Sequence, residues 1–182
     1  MTFLITFSSL GAFAWAVWIY NRLVRDRNLT RAAWSDIGVQ LKRRHDLVPK
    51  LVEAVRAYAA YESARLEDVV RLRAAAQAAA RPAEAAAAER RLGERLVQLV
   101  AVAEAYPELA ADAQYLALLR ELSEVEDQIQ YARRFYNGAV RDYNVRVESV
   151  PDLLIAQAFG FAPAEFFELD APAEALPPEL GG

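Results

Sequence analysis

Between residues 39 and 159 this chain holds only two glycines, Gly93 and Gly138, and four prolines, at 49, 82, 107 and 151. Glycine weakens a helix interior and proline interrupts it, so a long stretch with so few of either is committed to helix. Each proline sits where a helix can start or stop. An apolar stripe runs through Leu29, Ala33, Ile37 and Leu41. Asp46 then reads as an N-cap, with Pro49 tolerated in the first turn of a second helix. That helix carries Leu51, Val55, Tyr58, Glu62, Leu66 and Val69 and passes into the alanine-rich 74–80 before Arg81-Pro82. A third helix carries Leu92, Leu96, Leu99 and Val100 and stops near Tyr106-Pro107. The fourth is the longest: Leu122, Val125, Ile129, Ala132, Tyr136, Val140, Tyr143 and Val147 recur at steps of three and four, as in a heptad seam. Short loops between long amphipathic helices make neighbours antiparallel, so the sequence predicts an all-α, antiparallel up-and-down four-helix bundle. One mismatch stands out: residues 22–44 give about 35 Å of helix and 46–80 about 50 Å, so the second helix should overhang.

Ahead of the bundle, Met1–Tyr20 contains no Asp, Glu, Lys, Arg or His. Twenty helical residues span about 30 Å, a hydrocarbon thickness, so residues 1–21 are predicted to be a transmembrane helix running into the bundle at residue 22. No basic residue precedes the apolar run, which argues against a cleaved signal peptide. Trp15, Trp18 and Tyr20 stand where amphipathic rings favour a headgroup level. Arg22, Arg25 and Arg27 follow, and the positive-inside rule puts the N-terminus outside and the bundle in the cytoplasm, single-pass in the inner membrane. The absence of cysteine is compatible with either compartment.

Charge is divided along the chain. Residues 22–50 hold eight Lys/Arg against three Asp, whereas 51–182 hold thirteen Lys/Arg against twenty-two Asp/Glu. A basic segment beside a bilayer sets topology and attracts anionic lipid, making membrane lipid an expected partner. The acidic remainder excludes nucleic acid as the main partner. Four passes return the chain to the membrane side, where Phe159, Phe161, Phe166 and Phe167 either cap the bundle, the preferred reading, or enter the lipid interface. Residues 169–182, with Pro172, Pro177, Pro178, Asp170, Glu174 and Glu179, lack the apolar content to pack and are expected to be disordered.

The polar residues set into these stripes carry a resemblance. Tyr20-Asn21, Asn28, Trp34, the run Leu41 to Val52, Tyr58, Glu62, Glu104-Ala105-Tyr106-Pro107, Ala132 to Asn137, Tyr143-Asn144, Pro151, Ile155-Ala156 and Phe166-Phe167-Glu168 resemble, in order, the LemA family. The resemblance covers about residues 18 to 168. It implies a bacterial four-helix domain behind an N-terminal transmembrane helix, and it implies no established biochemical activity. Lys50 departs from the family pattern, where many relatives have Asn.

The chemistry on offer is sparse. A di-metal bundle site uses two histidines, and His45 is the single histidine. There is no cysteine nucleophile, zinc-ligand cluster or glycine-rich phosphate loop, so no catalytic, metal or cofactor-binding residue is expected. Glu62, Glu104 and Glu126 lie on or near apolar faces, and Arg133 is the expected compensating charge. Tyr136 and Tyr143 are one heptad apart, as are Asn137 and Asn144. They read as a register device within the core or, in the competing view, as a face joining subunits. Together these features point away from an enzyme and toward a membrane-anchored scaffold that self-associates into a homo-oligomer and organises membrane or membrane proteins. The alternative is a membrane-tethered adaptor that presents one bundle face to a partner such as a membrane protease.

Overall fold

The computed structural model describes residues 1–168, apart from the side chains of Thr2, Leu4, Ile5 and Ala60. The tail expected to be disordered, 169–182, lies outside the described residues. Among those described the chain is all-α, with six α-helices and no strand: α1 (Thr2–Tyr58), α2 (Ser63–Ala78), α3 (Pro82–Ala103), α4 (Pro107–Ala110), α5 (Ala113–Glu148) and α6 (Asp152–Ala158). A 3₁₀ turn, Ala60–Glu62, joins α1 to α2.

Two expectations about this architecture are corrected. The first is the membrane span over residues 1–21. Among the described residues no helix is long and apolar enough to cross a membrane. Thr6, Ser8, Ser9 and Gly11 interrupt the apolar run, and charge begins at Arg22. With the span go the single-pass topology, the inner-membrane location with its cytoplasmic bundle, lipid and membrane proteins as partners, and the membrane-anchored and membrane-tethered readings of function.

The second correction concerns the four-helix count. Asp46 caps no helix, because α1 runs through it and through Pro49 without a break. Proline removes the N–H that would bond the carbonyl four residues back, which is that of His45. The Arg73 Nε of α2 donates to that same carbonyl at 2.7 Å and restores the missing bond. The break comes instead at Ala59, which is buried and non-helical. No glycine or proline marks it. The ends of α3 do follow the sequence: Pro82 occupies its first turn and Pro107 opens α4. Asp112 caps α5 by accepting from the amides of Gln114 (2.9 Å) and Tyr115 (2.8 Å).

The chain divides into two compact units, and α1 and α5 contribute to both. One unit comprises residues 1–37 and 132–166. Its core is Ile19, Leu23, Tyr143, Val147, Ala156 and Phe161. Along α1 the buried seam passes through Asp26 and Thr30 rather than Leu29. Thr30 satisfies its hydroxyl on the Arg27 carbonyl (2.8 Å), and Asp26 pairs with Arg146 (3.0 Å). The other unit comprises residues 38–131 together with Phe167 and Glu168. Its core draws Val48, Leu51, Val52 and Val55 from α1, Leu66 and Val69 from α2, and Leu92, Leu96 and Leu99 from α3, with Leu109 and Tyr115 closing it. An ion pair between Arg95 and Asp68 (2.9 Å) ties α3 to α2.

Candidate functional site

The polar centre of the second unit grows from three helix faces. On α1, Arg44 and His45 stand between the buried Leu41 and Val48 and are themselves buried. On α3, the buried positions Ala85, Ala86, Glu89, Leu92 and Leu96 form one face, and the small alanines leave Glu89 room within it. The Glu89 side chain is fully buried and uses both oxygens. His45 Nε2 donates to Oε1 at 2.6 Å, and Arg44 Nη1 donates to Oε2 at 3.4 Å. The same Nη1 lies 3.5 Å from Oε2 of Glu126 on α5, whose side chain is 40% exposed. Arg44 Nε is buried with no hydrogen-bond partner. A charge this deep is tolerable only when compensated, and Glu89 is the compensating group.

Gly93 makes the approach possible. A Cβ built there would stand 2.8 Å from Arg44 Nη2, closer than carbon and nitrogen pack. The glycine weakens α3 intrinsically by about 1 kcal/mol relative to alanine, and the space for the guanidinium is what it provides in return. His45 is fixed twice, by its ring on Glu89 and by its carbonyl on Arg73.

Beside the cluster lies a groove of about 710 Å³, lined by Arg44, Glu89 and Gly93 at its polar end and by residues of α3 and α5 along its length. The His45–Glu89 pair could orient a reacting group, but no cysteine exists in the chain and no group of three or more metal-capable side chains occurs among the described residues. The arrangement is suited to holding helices together and shaping the groove.

The residues singled out from sequence are distributed as follows. Glu126 joins the cluster. Glu104 is exposed and lines the groove. Glu62 pairs with Arg65 at 3.3 Å. Arg133 is half-buried on α5. Of the tyrosines and asparagines, Tyr136 and Asn144 hold a segment that follows α6. Asn144 both donates to and accepts from the Ala164 backbone (2.9 and 2.7 Å), and the Tyr136 hydroxyl donates to the Glu165 carbonyl (2.7 Å). Tyr136 also packs on Trp34, with ring centroids 5.4 Å apart. Burial, then the nearby Glu165 charge, pushes the Tyr136 hydroxyl up to about 12. Burial raises Tyr143 as well, against the opposing pull of Arg27 and Arg31. Burial and then Glu104 raise Tyr115. Asn137 is half-buried one residue along.

The residues expected at a lipid interface are placed as follows. Tyr20 meets Phe159 and Phe161 edge-on, at 4.9 and 5.6 Å. Arg27 lies over the Phe161 ring at 4.7 Å and Arg22 over Trp18 at 5.2 Å. Arg25 pairs with Asp26 at 3.5 Å. Phe161 and Phe167 are buried, Phe166 is half-buried, and Trp15, Trp18 and Phe159 are exposed. Tyr20, Phe159 and Phe161 thus form a ring cluster with the Arg27 guanidinium against it.

Sequence reasoning missed Glu89 altogether. It sits in an alanine-rich, low-complexity stretch, and the one available signal was its three-residue step to Leu92 on the apolar face.

The sequence profile of the LemA family matches residues 33–180, a range that contains Arg44, His45, Glu89 and Glu126. The magnetosome proteins MamQ 1 and MamQ 2 of Paramagnetospirillum magneticum are each 36% identical to this chain over 76 residues. That match covers 42% of this chain and only 28% of each relative. The profile match extends over most of the sequence and takes in the whole buried ionic cluster, and on that ground the chain belongs to the LemA family.

Proposed function

We propose that this protein is a non-enzymatic helical scaffold that works by self-association, with the N-terminal part of α1 as the joining face. The observation that carries this reading is exposure without charge. Phe3, Phe7, Leu10 and Phe13 are 90, 79, 67 and 68% exposed on a helix with no charged residue before Arg22. A row of large apolar side chains exposed along a helix is stable when something covers it. Phe3, Phe7, Leu10, Ala14 and Val17 recur at alternating steps of four and three, the spacing of a coiled-coil seam. A second copy offers the same seam and the same lack of charge, so copies are self-complementary.

Light scattering of the full chain over a range of concentrations tests this. Assemblies at multiples of 20.3 kDa are expected. The double variant Phe7→Glu/Leu10→Glu, which puts a charge on adjacent seam positions, should fall to the single-chain mass. A single-chain mass at every concentration overturns self-association, and an unchanged assembly in the double variant overturns the choice of face.

A further inference from the structure

The groove beside the Arg44 cluster has a shape and a charge that self-association does not use. Its two walls are α3 from Arg90 through its C-terminal cap Glu104 and α5 from Leu119 to Gln130. At 1.5 Å per residue the α3 wall is about 20 Å long, a trough rather than a round pocket. Leu96, Val100, Leu119 and Leu122 give it an apolar bed, and Val97 stands 69% exposed at its edge. The ionic lining is unbalanced: Glu89, Glu94, Glu104 and Glu126 face only Arg44 and Arg90. Arg44 is engaged by Glu89 and Glu126, which leaves Glu94 and Glu104 at the rim against Arg90 alone.

A trough of this length with apolar walls matches the helix-in-groove mode of recognition, in which anchors at i, i+4 and i+7 enter and flanking residues meet the rim. The rim selects the sign of those flanks. An acidic occupant is repelled, and that includes this chain's own C-terminal stretch, where Asp170, Glu174 and Glu179 stand without a basic residue. We propose that the α3–α5 groove is a docking site for an amphipathic helix of a partner protein, apolar on the side that enters and basic on its flanks. The site is independent of the self-association face on α1.

The probe is a fluorescein-labelled synthetic helix of about fourteen residues, matched to the wall, with leucines at i, i+4, i+7 and i+11 and lysines on the flanks. A second probe replaces every lysine by glutamate. Both are titrated with the full chain and read by fluorescence anisotropy. The lysine probe should bind about tenfold tighter or better, with the margin shrinking as salt is added. Ala101→Trp places an indole in the trough and should weaken the lysine probe by about tenfold. Glu94→Gln with Glu104→Gln changes two exposed residues, leaves the fold intact, and should bring the two probes toward equal affinity. Equal binding of both probes to the unaltered chain overturns the proposal, as does no binding of either, or lysine-probe binding that neither variant alters. Light scattering of the same samples separates the two claims: lost probe binding at unchanged mass bears on the groove alone, and a single-chain mass with intact probe binding bears on self-association alone.

Discussion

Replacing Glu89 with alanine is the sharpest test of the buried cluster. The carboxylate is fully buried and holds Arg44 and His45 at 3.4 and 2.6 Å. Its removal leaves Arg44 with Glu126 alone, at 3.5 Å and on a side chain 40% exposed, where solvent weakens the attraction. Breaking a buried pair from one side costs about 3–5 kcal/mol. The His45 Nε2–H also loses its acceptor, which by itself costs about 1–3 kcal/mol and is partly contained in the first figure. At about 2–4 °C per kcal/mol for a chain of this size, the melting temperature should fall by about 6–20 °C. The assay is urea and thermal unfolding followed by far-UV circular dichroism, with Glu94→Ala as the control. Glu94 is exposed on the same helix and should stay within about 0.5 kcal/mol of the unaltered protein. Adding Arg44→Met to Glu89→Ala removes the stranded charge and should recover part of the loss, so the two changes are strongly non-additive. If Glu89→Ala costs no more than Glu94→Ala, the claim that Glu89 compensates Arg44 is wrong.

Other expectations follow from the same geometry. Gly93→Ala should destabilise the chain by about 1 kcal/mol despite alanine's better helix propensity, and should turn stabilising once Arg44→Ala has cleared the space; unfolding curves of the single and double variants decide it. Asn144→Ala removes two hydrogen bonds to the Ala164 backbone and should cost about 1–3 kcal/mol, with faster amide exchange at Ala164 as the local signature. Tyr136 has a folded-state pKa of about 12 against 10 for the free side chain, so its contribution to stability is complete below pH 10 and is lost as pH rises through 12. Urea midpoints measured across that window should fall in the unaltered protein and fall less in Tyr136→Phe; equal slopes would refute the assignment.

Much of the fold was legible because helix boundaries at Pro82 and Pro107 follow local backbone chemistry. Pro49 misled for a tertiary reason. Read alone, it opens a helix, and nothing local announces that Arg73, twenty-four residues later in sequence, supplies the bond it removes. The break at Ala59 was invisible because alanine is the strongest helix former and yields there to packing. Thr30 took the seam position that Leu29 was given because its hydroxyl bonds within its own helix, which makes it less polar than its name suggests. The N-terminal run was read as a span from its length and its lack of charge. At the site, Arg44 and His45 lay in a recognisable basic run, whereas Glu89 was masked by alanines. A buried carboxylate is identified by what faces it, and facing residues forty-four and forty-five positions away cannot be read from a local window.

The Arg73–His45 bond has a mechanical consequence. A proline inside a helix ordinarily serves as a hinge, since the ladder lacks a rung there. In α1 the rung is lent by another helix, so the stiffness of residues 45–49 is borrowed rather than intrinsic. Arg73→Met should turn this strut into a flexible joint, visible as faster amide exchange in the turn around Pro49 while the rest of α1 keeps its protection. Bending of α1 would then be controlled by a side chain on α2.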